Sequence, residues 1–263
     1  MTRILIHGCL GRMGQAVSDG LAREADFTVV GGVDKAPGGA TYLVNGKGVL
    51  YGNDVVQAIA ASRPEVVVDF STAEATMGVV RAAAEAGAGF VVGTTGHKPA
   101  AYAEMEALAK QHKVGGVFAP NFALGAVLLM HLAAKVSPHF EYAEITELHH
   151  ETKIDAPSGT ASATARAMVK AKGKPFQHNV PSVESLPGTR GNHIEGVTIH
   201  SVRLPGMMAH QEVVFGIAGQ TLTLRHDTIN RECYVPGIAI AVRYAAAHKG
   251  EFIQGLDRLL NLS

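Results

Sequence analysis

Thr2-Arg3-Ile4-Leu5-Ile6-His7-Gly8-Cys9-Leu10-Gly11-Arg12-Met13-Gly14 decides how the first half of this chain folds. Residues 3–7 read as a short apolar strand running into a glycine loop, and Gln15–Glu24 reads as the helix behind it. Phe27–Val33 is a second strand, closed by Asp34-Lys35 and a turn at Pro37-Gly38-Gly39. Glu65–Phe70 is a nearly continuous apolar run, as expected of a strand buried on both faces. Ala73–Ala86 is helical by composition, and the strand Phe90–Val92 ends in Gly93-Thr94-Thr95-Gly96. A helix over 99–112 and a strand over 114–118, ending in Ala119-Pro120-Asn121-Phe122, complete the series. This alternation predicts an α/β domain over residues 1–122, built on a parallel doubly wound sheet.

After residue 122 the pattern changes. Leu124–Val136 reads as a helix and Tyr142–Leu148 as a strand. Pro157 disfavours helix at Ala156, so 149–157 reads as a loop before a helix over 160–172. Residues 173–196, rich in Gly, Pro, Asn and Ser, read as a long mobile loop. Val197–Arg203, Gln211–Gly216 and Gln220–Asp227 are three strands with no helix between them. They predict a second, α+β domain over 123–235 with an open mixed or antiparallel sheet. The Ala-rich Gly237–His248 helix is expected to return, with the rest of the helical segment 236–263, to the first domain.

A chain of 263 residues is long enough for one large domain or two modest ones. Hydrophobic residues at 47% and charged ones at 17% fit a globular protein rather than a disordered one. Lys plus Arg and Asp plus Glu number 23 each, which points away from nucleic acid as a partner. No apolar run reaches the ~18 residues of a membrane span. Met1–Ile6 enters a strand with no signal-peptide pattern, so a cytoplasmic location is the expectation. Cys9 and Cys233 are too few for a disulfide framework or a zinc site. Ile154 stands where a His-Glu-x-x-His zinc motif needs its second histidine, so no metal is expected. No Gly-x-Ser-x-Gly elbow of an α/β-hydrolase is present.

Gly8, Gly11 and Gly14 lie between a strand and a helix, where absent side chains let backbone N–H groups approach a pyrophosphate. The spacing is G-x-x-G-x-x-G, with Leu10 at the usual middle glycine. Glycine turns after strands are common, and context raises this one. Asp34 falls twenty residues beyond Gly14 at a strand end, where a carboxylate can bind ribose hydroxyls. Asp34 favours the free hydroxyls of NAD, whereas Lys35 and Arg12 can neutralise a 2′-phosphate, leaving NADH and NADPH both open. Cys9 fits best as a small packed side chain. Gly93-Thr94-Thr95 and Ala119–Phe122 lie at carboxyl ends of predicted strands, where such a sheet places its ligand, and are candidates for the nicotinamide half.

The second signal is Glu147-Leu148-His149-His150-Glu151-Thr152-Lys153-Ile154-Asp155-Ala156-Pro157-Ser158-Gly159-Thr160-Ala161. Reduction of a conjugated imine moves negative charge through the substrate, and a proton donor with a nearby cation must receive it. His149, His150 and Lys153 supply both. Ser158-Gly159-Thr160 starts a helix whose unpaired N–H groups can hold an anion such as a substrate carboxylate. Taken singly, a solvated histidine pair and a plain Ser N-cap are the ordinary readings. The whole string is less ordinary.

Together the motifs closely resemble the dihydrodipicolinate reductase family, also called 4-hydroxy-tetrahydrodipicolinate reductases, of the diaminopimelate and lysine pathway. The matching pieces are Gly8–Gly14, Val68-Asp69-Phe70-Ser71, Gly93–Gly96, Asn121-Phe122 and the string from His149 to Ala161. His200–Gly206 and Arg225-His226-Asp227 also look familial, so the resemblance spans essentially the whole chain. It implies a Rossmann-type cofactor domain, a mixed-sheet domain that binds a small dicarboxylate, and a homotetramer. It implies that His149 is a proton donor/acceptor and Lys153 a proton donor, with His150, Gly159 and Thr160 holding substrate. Cofactor contacts carry over to Gly8, Cys9, Leu10, Gly11, Arg12, Met13, Asp34, Lys35, Gly93, Thr94, Thr95, Ala119, Pro120, Asn121 and Phe122. Many members have Glu-Arg where this chain has Asp34-Lys35. The activity expected is NAD(P)H-dependent reduction of 4-hydroxy-tetrahydrodipicolinate to tetrahydrodipicolinate. Two competing accounts are another two-domain dehydrogenase of amino or hydroxy acids, and a cofactor-sensing protein whose second domain is inert.

Overall fold

The computed structural model describes residues 1–36 and 40–262; the expected turn at Pro37-Gly38-Gly39 lies outside the described residues. The chain divides into two compact units, Met1–Leu124 with Arg231–Ser263, and Gly125–Asn230. The first unit begins with β1 (Thr2–His7), α1 (Arg12–Leu21), β2 (Phe27–Val33), β3 (Ala40–Val44), β4 (Lys47–Gly52) and α2 (Val55–Ser62). It continues through β5 (Val66–Asp69), α3 (Ala73–Glu85), β6 (Gly89–Val92), α4 (Pro99–His112) and β7 (Gly116–Phe118). The second unit holds α5 (Leu124–Val136), β8 (Tyr142–His149), α6 (Gly159–Lys172), β9 (Asn192–Ile194), β10 (Val197–Arg203), β11 (Ala209–Ile217) and β12 (Gln220–Thr228). The chain then returns to the first unit with α7 (Val235–Ala247), β13 (Phe252–Gln254) and α8 (Leu256–Leu259).

In the first unit eight strands lie in the order β13-β7-β6-β5-β1-β2-β4-β3. All neighbours run parallel except the β3–β4 hairpin at one edge. β5 and β6 are buried along their whole length, which explains their apolar composition. β1 is flanked by β2 on one side and β5 on the other, so successive connections leave it in opposite directions. A ligand crevice opens at the carboxyl ends of strands at such a reversal. Helix α1 starts at Arg12, directly after Gly11, and not at Gln15. Glycine's poor helix propensity hides this from local reading, but Gly14 is packed in the first turn by tertiary contact.

Two further elements depart from the sequence reading. Residues 40–64, to which it assigns nothing, hold a hairpin and a short helix. The hairpin turns on Asn45-Gly46, both at positive φ, the geometry that a two-residue turn between twisted strands requires. The returning segment is not helical throughout: β13 joins the sheet beside β7.

The second unit is a five-stranded mixed sheet in the order β12-β11-β8-β10-β9. β8 and β10 are parallel, and the remaining pairs are antiparallel. Along β8 the side chains alternate, with Ala143, Ile145 and Glu147 buried. Ala161, Ala165 and Met168 of α6 pack with Ala143, Ile145, Val197, Val213 and Phe215 in one core. The expected loop over 173–196 needs correction, since Asn192–Ile194 forms β9 and pairs antiparallel with β10. Glu195 and Gly196, both at positive φ, make its two-residue turn. Among the described residues, no helix is long and apolar enough to cross a membrane.

Candidate active site

The first unit gathers its candidates at the carboxyl ends of β1, β2, β5, β6 and β7. Gly8 adopts φ +80°, and a Cβ there would lie 2.5 Å from the Phe70 carbonyl oxygen. A Cβ on Gly14 would lie only 2.0 Å from the Gly8 carbonyl oxygen. These two glycines therefore let the turn fold onto itself and onto the end of β5. Gly11 occupies the N-cap of α1 with no side-chain cap, so the first-turn N–H groups donate no hydrogen bond to a capping side chain. That arrangement fits a pyrophosphate. The Leu10 N–H donates to Asp34 Oδ2 (3.0 Å) and the Lys35 N–H to Oδ1 (2.8 Å), tying the turn to the end of β2. Arg12 and Lys35 are exposed, whereas Cys9 is fully buried. Burial, then the negative charge of Asp34, pushes the Cys9 thiol up to about 12, so it is a packing group and not a reactive one.

A buried carboxylate to which the sequence reading gives no role beyond its place in a family string organises this end of the sheet. Asp69, 1% exposed, accepts from His7 Nδ1 (2.6 Å), Ser71 Oγ (2.6 Å), Thr76 Oγ1 (2.7 Å) and Thr94 Oγ1 (2.9 Å). Burial alone would raise its pKa, but these donors prevail and hold it below the ordinary carboxylate value. Thr94 Oγ1 in turn accepts from the Ser71 N–H (2.9 Å). The end of β1 beside Gly8 is thereby linked to the turn after β6. The sequence signal was available: one aspartate closes the buried run Val66-Val67-Val68, where a charge needs a partner.

Gly93 packs so closely under the Phe70 ring that a Cβ would meet it at 2.2 Å. Phe122 is buried and stacks edge-on with Phe70 at 5.9 Å, so Cys9, Ala119 and Phe122 offer a ligand backbone and not side chain. Asn121 Oδ1 is engaged by the Ala123 N–H (2.9 Å). Thr95 and Pro120 line a cavity of about 550 Å³ with Tyr102, Phe118, Gln254 and Arg258. The residues present thus fit a dinucleotide.

In the second unit His149 ends β8. Its Nδ1 lies 2.5 Å from Oε2 of Glu147, a carboxylate with no exposed surface. Arg203, at the end of β10 and in register with His149, grips Glu147 with both terminal nitrogens (NH1–Oε2 3.0 Å, NH2–Oε1 2.8 Å). The Ser158 N–H also donates to Glu147 Oε1 (3.3 Å), bringing the start of α6 to the same carboxylate. Burial would raise the Glu147 pKa, but hydrogen bonds from Arg203, Ser201 and His149 bring it below the ordinary value. Burial lowers the His149 pKa; Glu147 opposes this, and the charges of Lys153 and Arg203 add to it.

Ser158 caps α6 by accepting from the Ala161 N–H (3.1 Å). The N–H groups of Gly159 and Thr160 precede the first helical bond, Ser162 N–H to Ser158 carbonyl. A Cβ on Gly159 would meet nothing within 4 Å, so the approach to these amides is open. Lys153 pairs with Asp155 (2.6 Å) and acts on His149 through its charge. His150 is not drawn into this group: it is exposed, and its Nδ1 pairs with Thr152 Oγ1 at 2.7 Å within its own loop. Among the described residues no cluster of three or more His, Cys, Asp or Glu could hold a metal.

A doubly wound unit with a glycine turn, joined to a mixed-sheet unit bearing an imidazole held by a buried carboxylate, a lysine whose charge reaches it, and open helix amides, defines a two-unit, nicotinamide-dependent oxidoreductase. Residues 2–122 match the family model described as dihydrodipicolinate reductase, N-terminus, and residues 125–260 the one described as dihydrodipicolinate reductase, C-terminus. The chain is 46% identical over 262 residues to a 4-hydroxy-tetrahydrodipicolinate reductase of Dehalococcoides mccartyi, covering 99% of this chain and 98% of that one. Identity to the enzyme of the same name from Moorella thermoacetica is 44%, over 98% and 97% of the two chains. Among solved structures it superposes on a dipicolinate-bound dihydrodipicolinate reductase from Paenisporosarcina sp. TG-14 with a TM-score of 0.87. That pair shares 33% identity over 98% of this chain and 99% of the other. The chain belongs to the dihydrodipicolinate reductase family.

Proposed function

We propose that the protein reduces 4-hydroxy-tetrahydrodipicolinate, with loss of water, to tetrahydrodipicolinate in diaminopimelate and lysine biosynthesis, using NADH or NADPH. The observation that carries this reading is the grouping of His149, Lys153 and the Gly159-Thr160 amides around one carboxylate-anchored strand end. The relatives' names and the dipicolinate bound to the Paenisporosarcina enzyme support it.

In this proposal the first unit, with the returning C-terminal segment, holds the dinucleotide, through the Gly8–Met13 turn, Asp34, Lys35, Gly93–Thr95 and Ala119–Phe122. The second unit holds the substrate. The reduced nicotinamide supplies the hydride when bound. The amides of Gly159 and Thr160 take one substrate carboxylate at the positive end of α6. His150 leaves Thr152 to help hold the same molecule. Free His149 is held neutral at neutral pH by burial and by the Lys153 and Arg203 charges. Two substrate carboxylates offset those cations, so the imidazole can take up the proton that the reduced ring then receives. Lys153 exchanges its exposed partner Asp155 for the substrate, supplies positive charge and protonates the hydroxyl that leaves as water, the ring C–H proton lost in that elimination replacing the one given.

Asp34 disfavours a 2′-phosphate while exposed Arg12 and Lys35 favour it, so both cofactors are used. The enzyme works in the cytoplasm as a homotetramer, with the nine-residue β12 the longer of the two sheet edges for pairing. Light scattering on the purified protein measures the assembly. The test of the reaction is substitution: His149→Gln and Lys153→Ala each cut turnover by about 10²–10⁴ while NADH still binds. Wild-type turnover in either variant removes the proposed roles.

A further inference from the structure

A fully buried carboxylate at the mouth of a polar site costs several kcal/mol of desolvation, and a strand core position would ordinarily hold an apolar residue. Glu147 occupies such a position. Strand alternation puts it on the same face as Ile145 and Ala143, with His149 next along and farther out. Arg203 spends both terminal nitrogens on it from the neighbouring strand, and the Ser158 N–H at the start of α6 adds a further hydrogen bond. Arg203 also donates to the carbonyls of Val202 (2.7 Å) and Asp155 (2.6 Å), so the guanidinium itself is fixed.

This arrangement favours one place for the proton on His149. Glu147 is held ionised by its donors, and an ionised carboxylate can only accept. The hydrogen in the 2.5 Å contact therefore belongs to Nδ1 of His149, and Nε2 is the nitrogen left to exchange a proton. The charged groups that face this ring are Glu147 on its own strand, Arg203 on β10, and Lys153 on the following loop. On β11 its register partner is Ala209, which carries no charge.

We propose that Glu147, locked by Arg203, is the positioning residue of the reduction: it fixes the Nδ1–H tautomer of His149 and aims Nε2 at the substrate. Arg203 keeps the shared proton on the imidazole by keeping Glu147 ionised. This rests on the role given to His149 above.

The test uses the full-length enzyme labelled with ¹⁵N-histidine, with the His149 signals identified by their loss in His149→Gln. In the unsubstituted enzyme the neutral ring of His149 is expected to show protonated Nδ1 and bare Nε2. In Glu147→Gln the ring is expected to lose that fixed tautomer and to titrate at lower pH, because the carboxylate that raises its pKa is gone. Turnover is expected to fall about 10²-fold with the substrate KM and NADH binding little changed. A bare Nδ1 in the unsubstituted enzyme overturns the inference whether or not the variant folds. So does an unshifted titration or near-normal turnover in Glu147→Gln. If His149→Gln is fully active, the role of His149 fails instead, and the spectrum keeps the two failures apart.

Discussion

Replacing Gly14 with alanine is expected to abolish tight dinucleotide binding while leaving the second unit intact. The new Cβ would stand 2.0 Å from the Gly8 carbonyl oxygen, 2.7 Å from its carbon and 2.8 Å from the Cys9 Cα. All three are backbone atoms, so no side chain can swing aside. Reaching an ordinary contact of ~3.5 Å requires the turn and the helix start to separate by roughly 1.5 Å. Overpacking of this kind costs about 1–3 kcal/mol of stability. The separation also removes at least one turn N–H from the pyrophosphate, and a hydrogen bond to a charged group is worth about 1.5–3 kcal/mol. At 1.4 kcal/mol per tenfold, the NADH Kd should rise about 10–150-fold. Calorimetric titration with NADH measures this, beside a thermal melt. Gly78→Ala in α3 is the control: its Cβ meets nothing within 4 Å, and alanine favours helix by about 1 kcal/mol over glycine. It should bind NADH normally and melt no lower. A Gly14→Ala protein that binds NADH as well as the unsubstituted enzyme refutes the placement of the pyrophosphate on this turn.

Asp69→Ala strips four donors of their buried acceptor, which should cost about 3–5 kcal/mol and roughly 10 °C in melting temperature; an unchanged melt would show that the network is inessential. The folded Asp69 pKa lies below its unfolded value, so its stabilisation is present above pH 3.8 and disappears as pH falls further. Asp34→Ala should shift preference towards NADPH by about tenfold, one like-charge contact being relieved, as the ratio of kcat/KM for the two cofactors would report. Lys153→Ala should raise the His149 pKa towards 6.5 in an NMR titration, since the ammonium depresses it. In the unsubstituted protein that depression makes protons bind the unfolded chain first. Its stability contribution is therefore present above pH 6.5 and is lost below it, and a melt series across pH 5–7 would show the slope reduced in Lys153→Ala.

The parallel strands were legible because burial on both faces leaves an unbroken apolar string, as in Val66–Val68 and Phe90–Val92. Helices at 99–112 and 124–136 were equally plain. The β3–β4 hairpin and β9 escaped because half-exposed strands at or next to a sheet edge carry little apolar signal, although Asn45-Gly46 marks one of the turns. At the site, the local string from His149 to Thr160 announces itself, being contiguous in sequence. The groups that position it do not. Glu147 pairs with Arg203 across a separation of 56 residues, and Asp69 with His7 across 62, and no local pattern reports such pairs. What can be seen locally is a charge inside an apolar strand, which asks for a partner without naming it.

The central claim is that a reduced nicotinamide and a cyclic imine dicarboxylate react on this chain. Its most direct measurement is the consumption of NADH and of NADPH by the purified protein with freshly generated 4-hydroxy-tetrahydrodipicolinate, against the same mixture lacking substrate. The account predicts substrate-dependent oxidation of both cofactors, suppressed in His149→Gln. Cofactor that binds yet is never consumed when substrate is supplied would contradict it.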